Sequence, residues 1–209
     1  MTTMSIITHL SDFVTQCGPD DFYSEATMQL ELAIYLRHTL AQYAVHLERP
    51  INHFGGQRMT DTDKKEIDIC VLSEALKGGW KRRKIGEHNE KDCSAFSVEL
   101  KFPKPENGRV PETCYDFCKD VLFAERMLDL GFDQAFAIML TKNPSFYSGR
   151  RSDGIYSFFR RQNLLGGEIQ KPTGKRDTSI TISGSYTLDW RDAGGGYKYL
   201  LVEAKRPTL

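Results

Sequence analysis

Two short segments restrict the fold of this chain more than any other feature: "KKEIDICVL" at 64–72 and "AFSVELKF" at 95–102, in both of which apolar and polar residues alternate. Successive side chains of an extended strand point to opposite faces, so a period of two decides which residues share a face. In the first segment Ile67, Ile69 and Val71 fall on one side and Glu66, Asp68 and Cys70 on the other. In the second, Phe96, Val98, Leu100 and Phe102 share a face opposite Ser97, Glu99 and Lys101. If the two strands are neighbours with their polar faces on the same side, two carboxylates and an ammonium converge.

The surrounding segments supply the partners such strands need. Residues 22–42 carry apolar residues at helical spacing through Leu30, Ile34 and Leu40, with Ser24 as the N-cap. "YAVHLERPI" (43–51) reads as a strand stopped by Pro50. "ETCYDFCKDVLFAERMLDLG" (112–131) reads as a helix closed by Gly131, and "QAFAIMLT" (134–141) as a buried strand. Farther on, "IYSFFRRQNLL" has helical character, and "TSITISGSYTLDW" and "YKYLLVEAKRP" are strand-like segments that "RDAGGG" is expected to join as a hairpin. The expectation is one α/β domain over 1–209, with a core at 22–141 in the order helix-strand-strand-strand-helix-strand. Residues 142–209 form an extension holding a basic segment and an appended C-terminal β-hairpin.

Net charge is zero, which excludes a uniformly basic surface, yet the charges are segregated. Residues 1–36 hold five acids and no Lys or Arg, residues 77–91 six bases against two acids, and residues 142–176 eight against two. Such segregation permits a basic surface on a neutral protein. No apolar run approaches the roughly 20 residues of a membrane span, and the N-terminus lacks a secretory pattern. Five cysteines (17, 70, 93, 114 and 118), odd in number and without C-x-x-C, fit free thiols in a reducing cytoplasm. Cys114 and Cys118 read as core packing, and His38, His46, His53 and His88 show no zinc-ligand spacing.

Carboxylates on neighbouring strands are oxygen donors suited to a hard divalent cation such as Mg²⁺. Such a cation polarises a phosphodiester and acidifies a bound water, while a nearby lysine orients that water or offsets charge at phosphorus. Asp68 followed by Glu99-x-Lys101, within this element order, resembles the PD-(D/E)XK (restriction-endonuclease-like) nuclease superfamily, over about residues 22–141. The resemblance implies a mixed sheet flanked by helices, with Mg²⁺ or Mn²⁺ held by Asp68, Glu99 and the backbone carbonyl of Leu100, and Lys101 serving the attacking water. It also implies a further Glu from the first helix, Glu31 in preference to Glu25, and a polar residue from the helix after E-x-K, Lys119 in preference to Asp120. Two departures stand out: Ile67 replaces the Pro that names the motif, and the spacer from Asp68 to Glu99 is long because of the basic insert.

A second Asp-then-E-x-K text, Asp189 with Glu203 and Lys205, lies at the end of the sequence, with four residues after Lys205. Neither a helix and strand downstream nor a matching strand and helix upstream accompanies it, so it is expected to be an added strand facing water. For substrate contact, the insert "KGGWKRRKIGEHNEK" offers Trp80, Lys81, Arg82 and Arg83. Arg150 and Arg151, and Arg160 and Arg161 beside Phe158 and Phe159, make a second basic and aromatic group. The expected activity is metal-dependent hydrolysis of phosphodiesters, with DNA as substrate; a homodimer would suit cutting both strands. The alternative is a nuclease-like fold that binds nucleic acid or protein without turnover.

Overall fold

The two alternating segments become neighbouring strands at the middle of a six-stranded sheet. The computed structural model describes residues 6–18, 20, 22–55, 66–76, 94–106, 108–161, 163–174 and 178–206. Helices α1 (Ile6–Gln16) and α2 (Glu25–Thr39) precede strands β1 (Tyr43–Pro50), β2 (Glu66–Ser73) and β3 (Ala95–Lys101). Helix α3 (Val110–Asp129) then crosses to β4 (Gln134–Thr141). The chain continues through α4 (Tyr156–Arg160), β5 (Leu165–Gln170), β6 (Ser179–Tyr186), β7 (Arg191–Gly194) and β8 (Tyr197–Glu203). The main sheet has the order β1-β2-β3-β4-β8-β7, and β5 and β6 pair separately. The β1-β2 and β2-β3 pairs are antiparallel, and β4 runs parallel to β3, as a helical crossover permits.

Local chemistry explains the elements. Ser24 caps α2, its hydroxyl accepting from the Thr27 backbone N–H at 3.1 Å. Gly131 closes α3 at φ +98°, a conformation that favours glycine, and the Phe132 N–H reaches back to the Met127 carbonyl. Pro50 is tolerated because β1 lies at the sheet edge. Helix α1 lies outside the helices expected from the sequence, although Ile6, Leu10, Phe13 and Val14 recur at helical spacing and are buried.

Helices α1 and α2 cover one face of the sheet, where Phe13, Met28, Leu32 and Leu36 meet Ile69, Val98, Leu100 and Ile138. Helix α3 covers the other. Its Cys114, Phe117, Cys118 and Val121 pack with Ala137, Met139, Leu200 and Val202, so the two cysteines are core residues as expected. The β5-β6 sheet lies on the far side of α3, with Ile169, Ile182 and Tyr186 in the same cluster. Buried Glu125 on α3 locks this sheet down: its carboxylate accepts from the Ser183 and Gly184 N–H groups, at 2.9 and 2.6 Å, and from the Tyr186 hydroxyl at 2.8 Å. A Cβ at Gly184 would collide with the Tyr186 hydroxyl, so only glycine fits there.

The expected C-terminal hairpin is corrected. The "TSITISGSYTLDW" strand pairs with β5, and the hairpin is β7-β8, turning at Gly195 and Gly196. Strand β8 is not an appendage, since it lies antiparallel beside β4 in the main sheet. The reason is apolarity on two faces: Tyr199 packs under α1 and α2 while Leu200 and Val202 pack under α3. A strand apolar on both sides needs the sheet interior, whereas β6, with Thr181 between its two isoleucines and serines on either side, covers only one layer. Among the described residues no helix is long and apolar enough to cross a membrane.

Candidate active site

The β2-β3 register pairs Cys70 with Ser97 and Ile69 with Val98. Opposed residues share a face, so Asp68 lies on the same side as Glu99 and Lys101, the side covered by α3. The two strands part at Asp68, whose Oδ2 accepts the Leu100 backbone N–H at 2.8 Å in place of a ladder partner. This bond ties the Asp68 carboxylate to the residue between Glu99 and Lys101. On the other side of β2, Gln29 of α2 donates to the Asp68 carbonyl at 2.7 Å and to Glu48 Oε1 at 2.9 Å. Glu48, across β1 from this point, is the one non-glycine with positive φ (50°) among the described residues. Strained backbone of this kind persists where its surroundings hold it, and it concentrates at functional sites. Glu48 itself is exposed.

The face that carries Ser97 and Glu99 is polar in composition but not solvated: both residues are 0% exposed. The reason is that α3 lies over this face. Lys101, one residue pair nearer the strand end, keeps a side chain 21% exposed. Its Nζ lies 3.5 Å from Glu25 Oε1 and 3.6 Å from Asp120 Oδ2. Glu25 Oε2 also accepts the Phe102 backbone N–H at 3.0 Å. Lys101 is therefore held between an acid from α2 and a buried acid from α3.

Beside Lys101 the structure places Glu25 and Asp120, whereas the sequence favoured Glu31 and Lys119. Glu31 is exposed and lies on the α1 side, where its charge, after burial, helps push the Cys17 thiol pKa up; Glu25, the first residue of α2 directly after the Ser24 cap, is the acid that reaches Lys101. On α3, Lys119 points outward, paired with Asp116 at 2.7 Å, and Asp120 points inward. Adjacent helix positions face directions about 100° apart, so only one of the pair can turn to the sheet. Asp120 shares the buried stripe of Cys114, Phe117 and Val121, a phase visible in the sequence.

A cleft of about 530 Å³ opens beside Lys101, walled by Glu25, Phe102, Arg109, Glu112 and Asp116. Glu112 is held below the usual carboxylate range chiefly by the Thr173 hydroxyl that donates to it. Arg151 is away from this cleft, paired with Asp153 at 3.1 Å in a second hollow with Tyr156 and Lys171, and Arg150 is exposed. Trp80, Lys81, Arg82 and Arg83 lie outside the described residues. The terminal E-x-K text is far from this geometry. Glu203 pairs across from Phe136 at the opposite end of β4 and accepts from Gln134 at 2.9 Å, while Asp189 and Lys205 are exposed.

The site thus offers two carboxylates on one face of adjacent strands, with an ammonium positioned by two further acids. Among the described residues no group of three or more His, Cys, Asp or Glu side chains is arranged to hold a metal ion. A pair of carboxylates is still a sufficient protein contribution for Mg²⁺, which keeps several waters and takes remaining ligands from substrate phosphates. No protein family model, curated protein or solved structure matches the chain.

Proposed function

We propose that this chain is a metal-dependent nuclease with a restriction-endonuclease-like core, hydrolysing phosphodiester bonds of DNA with Asp68, Glu99 and Lys101. The observation that carries the reading is the shared face of these three residues, drawn together by the Asp68–Leu100 hydrogen bond at the open end of β3. The order α2-β1-β2-β3-α3-β4, with three antiparallel strands and a parallel fourth, supports the core assignment.

Asp68 and Glu99 would hold Mg²⁺ or Mn²⁺, with Leu100 in reach through its peptide group. The cation, when bound, polarises the scissile phosphodiester and lowers the pKa of a coordinated water. Lys101 orients the attacking water or offsets charge that builds at phosphorus. Glu25 and Asp120 fix the ammonium where that charge develops, so little reorganisation is left for the reaction step. The scissile group would enter through the cleft beside Lys101.

The test is nicking of supercoiled plasmid and cleavage of labelled DNA and RNA with Mg²⁺ or Mn²⁺. Wild type should cut, and Glu99→Ala and Lys101→Ala should not; absence of cleavage of every substrate by wild type in both metals overturns the proposal. Complete burial of Glu99 favours a second reading, a nuclease-like fold kept as a binding module. Under that reading Mn²⁺ titration gives no heat, and ligand binding is unchanged by Glu99→Ala.

A further inference from the structure

A third cleft, of about 330 Å³, is lined by Tyr147, Phe159, Arg160, Arg161, Trp190 and Lys198. Every charge in that lining is positive. The Tyr147 and Trp190 rings meet at 5.5 Å between centroids, tilted by 57°, and the Trp190 indole is aimed by its Nε1–H bond to the Phe159 carbonyl at 2.9 Å. Arg160 is already committed to the wall: its guanidinium stacks 3.8 Å from the Tyr156 ring centroid and donates to the Ser145 and Arg151 carbonyls. Arg161 is exposed. Lys198 lies 5.7 Å from the Tyr147 ring, and its acid neighbour Asp192, 75% exposed at 3.6 Å, is well screened by water. Two oriented aromatic faces with two available cations match the two halves of a nucleotide, a flat base and a phosphate.

We propose that this cleft is a subsite for an unpaired nucleotide, its base stacked on Trp190 and Tyr147 and its phosphate held by Arg161 and Lys198. The volume is at the small end of the range for ligand pockets and suits one base, not a duplex groove. The proposal rests on the nuclease reading for its substrate and extends it in position. Lys198 pairs with Thr141, and Lys101 pairs with Met139, so both lie on the α3 face at the same end of the sheet. With strands about 4.8 Å apart and a rise of about 3.3 Å per residue, their Cα atoms are roughly 12 Å apart. That spans about three to four stacked nucleotides at about 3.4 Å each. One strand can therefore occupy Lys101 and the aromatic cleft together, which places a single-stranded end or a frayed base beside the cut.

The experiment measures binding of fluorescein-labelled oligo(dT), oligo(U) and a matched duplex in EDTA, where no metal-dependent cleavage occurs. Trp190→Ala should weaken oligonucleotide binding by tenfold or more, with Trp190→Phe between it and wild type. Arg161→Ala and Lys198→Ala should each lower the slope of log affinity against log salt by about 0.7. Trp80 and Trp190 are the two tryptophans, so in Trp80→Phe protein the remaining emission should be quenched on binding. Equal binding of oligo(dT) and oligo(U) supports the shared base-and-phosphate chemistry, and where one is preferred, oligo(dU) separates the sugar from the thymine methyl. Affinity within twofold of wild type in Trp190→Ala, or no quenching in Trp80→Phe, overturns the subsite. Should Trp190→Ala fail to fold, unchanged binding by Arg161→Glu, at an exposed position, does the same. Cleavage by wild type without quenching removes the subsite and leaves the nuclease; quenching without cleavage does the reverse.

Discussion

Replacing Asp120 by Asn removes one buried charge while keeping the side chain's shape, and it tests whether α3 positions Lys101. Asp120 Oδ2 is 3.6 Å from Nζ, with side chains 9% and 21% exposed, whereas Glu25 is 43% exposed and its pull is more strongly screened. At that distance, and at the effective dielectric of about 20 that suits protein sites, the gross attraction is about 4–5 kcal/mol. Desolvation cancels much of it, so a net loss of about 1.5–3 kcal/mol is expected, in the range of hydrogen bonds to charged groups. For a chain this long each kcal/mol moves Tm by about 2–4 °C, giving a fall of about 3–12 °C. Asp120 has other neighbours, so the decisive quantity is the coupling in a double-mutant cycle with Lys101→Met, measured by urea unfolding. The expected coupling is about 1–3 kcal/mol, with DNA cleavage by Asp120→Asn reduced by at least tenfold. Coupling under about 0.5 kcal/mol together with wild-type cleavage would refute the idea that α3 holds the ammonium in place.

Glu25→Gln should lower cleavage while Glu31→Gln leaves it unchanged; the reverse order in a side-by-side rate assay would restore the acid expected from the sequence. Glu125→Ala should destabilise the fold by about 2–4 kcal/mol in urea melts, because three donors lose a charged acceptor, and Gly184→Ala should act in the same direction. Burial pushes the Cys70 thiol from 9.0 up to about 12 and raises Cys114 and Cys118 as well. Above pH 9 the unfolded chain loses these protons and the folded one keeps them, so stability present below that pH falls between 9 and about 12. The slope is about 1.4 kcal/mol per pH unit for each thiol. Urea unfolding under reducing conditions should show Cys118→Ala removing up to about 1.4 kcal/mol per pH unit from that slope; no change from wild type would mean this thiol does not contribute to it.

Elements set by neighbours in sequence were legible without a structure. The alternation of 66–73 and 95–101, the Ser24 cap, the Gly131 stop and the apolar run of β4 each depend on local periodicity or backbone preference, and each stands where expected. The common face of Asp68, Glu99 and Lys101 follows from that same period once the strands pair. Which acid completes the site was a question of helix phase and docking: Glu25 and Glu31 lie on one helix, Lys119 and Asp120 are adjacent, and only the placement of α2 and α3 against the sheet chooses between them. Strand partners at long range were likewise decided by packing, since β8 enters the sheet beside β4 because both its faces are apolar and both need cover. The sequence alone determined the alternating strands β2 and β3, the Ser24 cap and the Gly131 stop, because these are local; the tertiary structure decided the buried face of α2, where Leu30 and Ile34 stay exposed while Met28, Leu32 and Leu36 are covered, the burial of Glu99 and the acids around Lys101, because those depend on which surfaces are pressed together.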